Sequence, residues 1–248
     1  MLQAPSPSFQ RFAQHIEARA RVTDRAPRFP RPALAASTVK DLLSAARHHG
    51  LVLLGDESTG KSTFLLRDLK PMLARDPSVH AIYVHLGQPD VDPGRVILLA
   101  LDDELRRLEN RFRRKAREWG VVSFKCGRFE LVPKRPDLRD STNVQPMMAR
   151  LSNQLGRCLV LAIDDLGWGQ RTAHGRDVLR KLMFAMDDLN RVGRPGVRLL
   201  GMASDDHESR ALLMPDSGAL PHTTVRALPT LLTPDSSAAC RGAIAPAS

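Results

Sequence analysis

Two kinds of apolar pattern alternate along the chain. Short continuous runs, "GLVLL" (50–54), "HAIYVHL" (80–86), "CLVLAIDD" (158–165) and "VRLLGMAS" (197–204), are too apolar to leave one face in water. They predict buried strands of a parallel sheet, and "HTTVRAL" (222–228) predicts a shorter fifth strand. Between the strands, apolar residues recur at three and four residues, the period of a helix with one buried face. The longest such stripe is Leu101, Leu105, Leu108, Phe112, Ala116 and Trp119. Helices are also predicted at "STVKDLLSAARHHG" (37–50), with Ser37 as N-cap and Gly50 as stop, at "STFLLRDLKPML" (62–73), at "VQPMMARLSNQLG" (144–156) and at "DVLRKLMFAMDDLNRV" (177–192). The alternation predicts an α/β domain: a parallel five-stranded sheet sandwiched by helices.

The domain is expected to span 36–230. Before it, residues 1–35 combine a short helical stretch with the proline-rich "DRAPRFPRPAL", which predicts an extended arm. After it, the small and polar residues 231–248 predict a disordered tail, leaving little or no C-terminal lid. Residues 106–136 form a possible insertion of basic helix plus hairpin, the hairpin at "VVSFKCGRFELV" (121–132).

Sheets of this kind bind ligands at the carboxyl ends of their strands. The first strand runs into "GDESTGKST", where Gly55, Gly60, Lys61 and Ser62 satisfy G-x-x-x-x-G-K-[ST]. The glycines let successive backbone N–H groups wrap an anion, and the following helix points its positive end at it. Lys61 adds a point charge for outer phosphates, and Ser62 offers a hydroxyl to Mg²⁺. Asp56, Glu57, Ser58, Thr59 and Thr63 complete the cradle expected to hold ATP. A plain glycine-rich turn would need no lysine followed by a hydroxyl. The third long run ends in two acids: Asp164 is suited to hold the metal, and Asp165 to orient or deprotonate the attacking water. An acid after a strand also serves as a helix cap, so the metal role leans on the glycine loop. Ser204, closing the next strand, is placed to sense the γ-phosphate or simply to end the strand. Catalysis is thus expected from Lys61, Asp165 and Ser204, with ATP and Mg²⁺ as cofactors. Aspartate at 165 is one methylene shorter than glutamate, which predicts slow or partner-stimulated hydrolysis.

In order and character, "GDESTGKST", "LAIDDLGWG" and "LLGMAS" resemble the additional-strand P-loop ATPases, and within them the AAA+ and STAND groups. The resemblance covers roughly residues 38–230. "IYVHLGQPDVDPGRVILLAL", "FAMDDLNRVGRPGVRLLGMAS" and "TTVRALPTLLTPD" are similar to segments of the TniB/TnsC-like transposition ATPases. That resemblance implies ATP-dependent assembly on DNA, homo-oligomers and recruitment of a transposase, with Arg226 near the position of a finger arginine. Asp165 departs from that family's usual glutamate. Asp164, Asp165 and Trp168 instead resemble the STAND switch ATPases, which implies nucleotide-gated signalling, although the long C-terminal sensor regions of those proteins have no counterpart here. A P-loop kinase fits less well, since no arginine-rich lid follows.

Composition adds a partner. Lys and Arg number 37 against 27 for Asp and Glu, a formal charge of +10, which suits a polyanion or serves solubility alone. "RRLENRFRRKAREWG" (106–120) concentrates seven basic residues opposite the apolar stripe. Arg113, Arg114 and Lys115 are the candidate contacts to the backbone of duplex DNA, with neutralisation by Glu104, Glu109 and Glu118 as the competing reading. The three cysteines, Cys126, Cys158 and Cys240, form no C-x-x-C pair, and no run reaches the length of a membrane span. A reducing, cytoplasmic location is expected.

Overall fold

Every predicted long strand takes its place in one parallel sheet. A computed structural model of the protein describes residues 30–44, 49–56, 59–87, 91–118, 139–191, 196–206, 209–210, 213, 220 and 223–229, with side chains of 110–118 excepted. The elements are α1 (Pro32–Ser44), β1 (Gly50–Gly55), α2 (in three continuous pieces, Lys61–Phe64, Leu65–Leu69 and Lys70–Arg75), β2 (Val79–His85), α3 (Pro93–Glu118), α4 (Val144–Leu155), β3 (Cys158–Asp164), α5 (Ala173–Arg191), β4 (Val197–Ser204) and β5 (Thr223–Ala227). The strands lie in the order β2-β3-β4-β1-β5. All four pairings are parallel, and the register sets His85 beside Asp164 and Gly55 beside Ser204.

Alternate residues of β1 to β4 feed two cores, which is why those runs read as continuously apolar. On one face Val52, Val84, Leu161 and Ile163 pack with Leu98 and Leu101 of α3, Met148 of α4 and Leu182 of α5. On the other, Leu53, Val160, Leu200 and Met202 pack with Leu42 of α1 and Phe64, Leu65 and Leu69 of α2. No described helix is long and apolar enough to cross a membrane.

Three helices depart from the sequence expectation. Helix α1 begins at Pro32, so Ser37 lies inside it and donates its hydroxyl to Leu34 O (3.1 Å). A first-turn proline costs nothing, because its missing N–H would have had no helical acceptor. Gly50 opens β1 in place of stopping the helix, and the described part of α1 ends at Ser44. Helix α5 starts at Ala173, four residues before "DVLRK", where the Thr172 hydroxyl accepts from the Gly175 N–H (2.9 Å). Within α2, Pro71 can neither donate to the Arg67 carbonyl nor clear it. The helix responds by widening over Leu65–Leu69, a π-helical turn in which the Lys70 N–H reaches Leu65 O. The expected hairpin, most of the N-terminal arm and the tail lie outside the described residues.

A polar knot ties the turn before α4 to α5. Ser141 donates to Asp177, Lys181 Nζ reaches Ser141 Oγ (2.7 Å) and Asp177 (3.1 Å), and Arg180 adds a bond to Asp177 (2.7 Å). Above all the Ser141 bond, then the two cations, lower the Asp177 pKa to about 2. Because the folded value is depressed, the stabilisation is present at neutral pH and is lost as pH falls toward 2. Asp177→Asn should therefore melt lower than wild type at pH 7, with the difference closing below pH ~4; thermal melts across pH test this. The side chain is 29% exposed and sits at the protein surface, so solvent screens the effect, which is expected to be small.

Candidate nucleotide-binding site

The loop after β1 closes around its own lysine. Lys61, 6% exposed, donates Nζ to Gly55 O and Asp56 O, both at 2.8 Å. Thr59 tightens the turn from the other side, its N–H and hydroxyl reaching Asp56 O at 3.1 and 2.8 Å. Gly60 takes φ 71°, a left-handed conformation that a side chain disfavours, and so turns the chain into α2. Ser62 and Thr63 stand in the first turn of α2. Glu57 and Ser58 lie outside the described residues.

The acids of β3 occupy the same rim but differ in setting. Asp164 is fully buried, and neither of its carboxylate oxygens accepts a hydrogen bond. Such a group is costly unless a cation or donor completes it. Its carbonyl is satisfied, accepting from the Leu86 N–H (3.1 Å). Asp165 is the sole described non-glycine residue at positive φ, 55°, an uncommon conformation that Asp tolerates better than most residues. Its carboxylate turns toward β2, where Oδ2 lies 3.6 Å from His85 Nδ1 and against Gly87, at which an added Cβ would collide with it. Strand order puts that side of β3 away from β4 and β1, and hence away from the glycine loop.

Ser204 ends β4 opposite Gly55, whose carbonyl also accepts from the Asp205 N–H (3.2 Å). A cleft of about 580 Å³ borders the loop, lined by Leu54, Asp56, Thr59, Arg210, Val225 and Leu228 among others; small-molecule sites commonly have this size. Sequence reasoning missed two contributors. His85 is the last residue of β2, and the rule that ligands gather at strand ends was the available signal. Arg31 had none: its guanidinium reaches Thr59 O (2.9 Å) and Pro229 O (3.2 Å) and lies over Phe64, bracing the loop from α1's side. Burial lowers its pKa, and the charge of Asp68 partly restores it.

The expected DNA contacts are only partly described. Arg113, Arg114 and Lys115 lie on α3, with side chains outside the described set. The preceding turns are internally paired: Arg106 with Asp102 (2.7 Å), Arg107 with Glu104 (3.3 Å) and Glu109 with Arg150 of α4 (2.7 Å). Burial pushes the Glu104 pKa up, but bonds from His80 and Arg107 outweigh it and hold the group below its ordinary value. Arg226 is engaged with Asp41 of α1 (2.9 Å). Trp168 stacks under the Arg171 guanidinium at 3.5 Å.

Solved structures share this fold. The chain is similar to the Aeropyrum pernix ORC1 protein solved in complex with DNA, at 15% identity and TM-score 0.52, covering 82% of this chain and 46% of that one. It is also similar to a Walker-type ATPase of Pyrococcus abyssi, at 14% identity and TM-score 0.50, covering 88% and 60%. The fold, a five-stranded parallel sheet flanked by helices, is the one these structures share. The chain spans about half the length of these structures. No family model matches the sequence, and no curated protein matches it.

Proposed function

We propose that this AAA+ fold binds ATP with magnesium and couples nucleotide state to assembly on duplex DNA, in the manner of a transposition accessory ATPase. The observation that carries nucleotide binding is the Lys61 ammonium held at the centre of the glycine loop by two backbone carbonyls. Phosphate oxygens are stronger acceptors for it than those carbonyls, so the loop is ready to exchange them. Ser62 and the carboxylate of Asp164, which accepts no hydrogen bond, suit the metal, which would neutralise charge on the phosphates. Ser204, beside Gly55, would face the outermost phosphate. The role proposed for Asp165 is to steer water, and its turn toward His85 accords with slow hydrolysis unless a partner redirects it.

The DNA part leans on the net charge, on the basic run of α3 and on the presence of DNA in the ORC1 structure. ATP-driven homo-oligomers would pool weak basic patches on one duplex, gaining avidity that no single copy has. DNA affinity should then rise with ATP, fall steeply with salt and vary little with sequence. Changing Arg113, Arg114 and Lys115 together to Glu should weaken DNA binding at least about tenfold at low salt while leaving ATP affinity intact; fluorescence anisotropy beside calorimetry checks both. Wild-type protein that ignores DNA at low salt with ATP present would turn the reading to a nucleotide-gated switch of the STAND kind. That second reading is favoured by Asp165 facing away from the loop and by the Arg226–Asp41 pair, which occupies the arginine otherwise available to a neighbour.

A further inference from the structure

We propose that His85, Asp164 and Asp165 form a binding site for one first-row transition-metal dication of the zinc or cobalt(II) class, occupied without nucleotide. Three independent features converge at this point of the rim. The first is spacing. His85 Nδ1 lies 3.6 Å from Asp164 Oδ2 and 3.6 Å from Asp165 Oδ2, and one donor atom from each residue falls within 4.8 Å of the others. These separations are too long for good hydrogen bonds. They are what two donors show when each sits about 2.1 Å from a common ion and the pair subtends roughly 118°, close to tetrahedral or trigonal values.

The second feature is a buried carboxylate without a hydrogen bond. Asp164 is fully buried and neither of its oxygens accepts one, His85 at 3.6 Å being too far for a good bond, so a dication there would offset the desolvation cost. The third is the way the remaining donor is held. Asp165 reaches the group only through its left-handed backbone, over a glycine that leaves no Cβ in the way. With its side chain 23% exposed against 2% for His85, it also forms the entrance.

The donor set selects the ion. One imidazole nitrogen with two carboxylates suits zinc, cobalt(II), manganese or iron(II), whereas magnesium prefers an all-oxygen shell and keeps its waters. Binding through Nδ1 leaves the His85 proton on Nε2, and solvent can complete the coordination past Asp165. The site shares Asp164 with the proposed nucleotide metal but needs neither ATP nor DNA, so it stands or falls separately from the function proposed above.

The test uses the full chain, stripped of metal by chelator and kept free of nucleotide. Cobalt(II) titration should give saturable visible d–d absorption at one equivalent, displaced by zinc but not by a roughly hundredfold excess of magnesium. His85→Ala and Asp165→Asn should each weaken cobalt binding about tenfold or more, with circular dichroism confirming the fold. If His85→Ala does not fold, Asp165→Asn decides, since its side chain is the most exposed of the three. No one-equivalent binding by wild type, displacement by magnesium, or affinity unchanged in the folded variants would overturn the site; the last would move the ion to another of the chain's eight histidines.

Discussion

Lys61→Ala should lose saturable ATP binding in calorimetry while melting within a few degrees of wild type. The two halves of this result rest on different atoms. For affinity, Lys61 is the cation the glycine loop presents at its centre, and an ammonium bonded to outer phosphate oxygens in a partly dry loop is a charge-assisted contact. Losing about 3 kcal/mol of such interaction lowers affinity by roughly two orders of magnitude. For stability, the carbonyls that Lys61 occupies keep other donors. Gly55 O still accepts from the Asp205 N–H, and Asp56 O from both the N–H and the hydroxyl of Thr59. No buried acceptor is orphaned, so the costly outcome of deleting a buried donor is avoided. The mutant's methyl group leaves a gap at the polar rim, outside the two apolar cores. ATP affinity equal to wild type would remove Lys61 from the site, and with it the reading of the loop. A collapse of stability would instead make Lys61 a structural clamp, whatever it does to ligands.

How far the sequence spoke for the structure depended on the range of the interactions involved. The strands were legible because burial on both faces leaves a local signature: "LVLAI" has no position that could face water. The glycine loop was legible because its chemistry is contiguous, only six residues separating Gly55 from Ser62. What adjoins that loop was not, since strand order is a long-range fact. Nothing local in "YVHLG" says that His85 comes beside Asp164, or that Gly87 must lack a side chain to admit Asp165. For Asp165 the sequence locates a carboxylate on the rim but cannot fix the sign of φ that turns it toward β2. Helix starts slipped where an earlier residue could open the helix: Pro32 ahead of Ser37, and Thr172 ahead of Asp177. The charge on α3 was partly misleading too. Residues counted as a free basic face include Arg106 and Arg107, which neighbouring acids hold.

Asp164→Ala should act in opposite directions on stability and on function. In metal-free, nucleotide-free protein it should raise the melting temperature, because the wild-type carboxylate is fully buried and neither oxygen accepts a hydrogen bond. Leaving a buried polar group unsatisfied costs about 1–3 kcal/mol, more when it is charged. Truncation to alanine removes that cost and sacrifices no apolar contact of either core, so the void it leaves, about the size of a carboxylate, should offset only part of the gain. A net 1–2 kcal/mol corresponds to roughly 2–8 °C for a domain of this size. The ladder survives, since the bond from the Leu86 N–H goes to the backbone carbonyl of Asp164 and not to its side chain. Magnesium-dependent nucleotide binding should meanwhile weaken, because the same unpaired carboxylate is the one proposed to meet the metal. A destabilised site that improves fold stability when deleted is the expected mark of a functional group held ready for a ligand. A fall in melting temperature would mean that a positive charge already completes Asp164 in the resting protein. His85, 3.6 Å away, would then be the group that completes it. Added zinc separates the two cases: it should raise the melting temperature of wild type and leave Asp164→Ala unmoved only if the carboxylate is there to receive a metal.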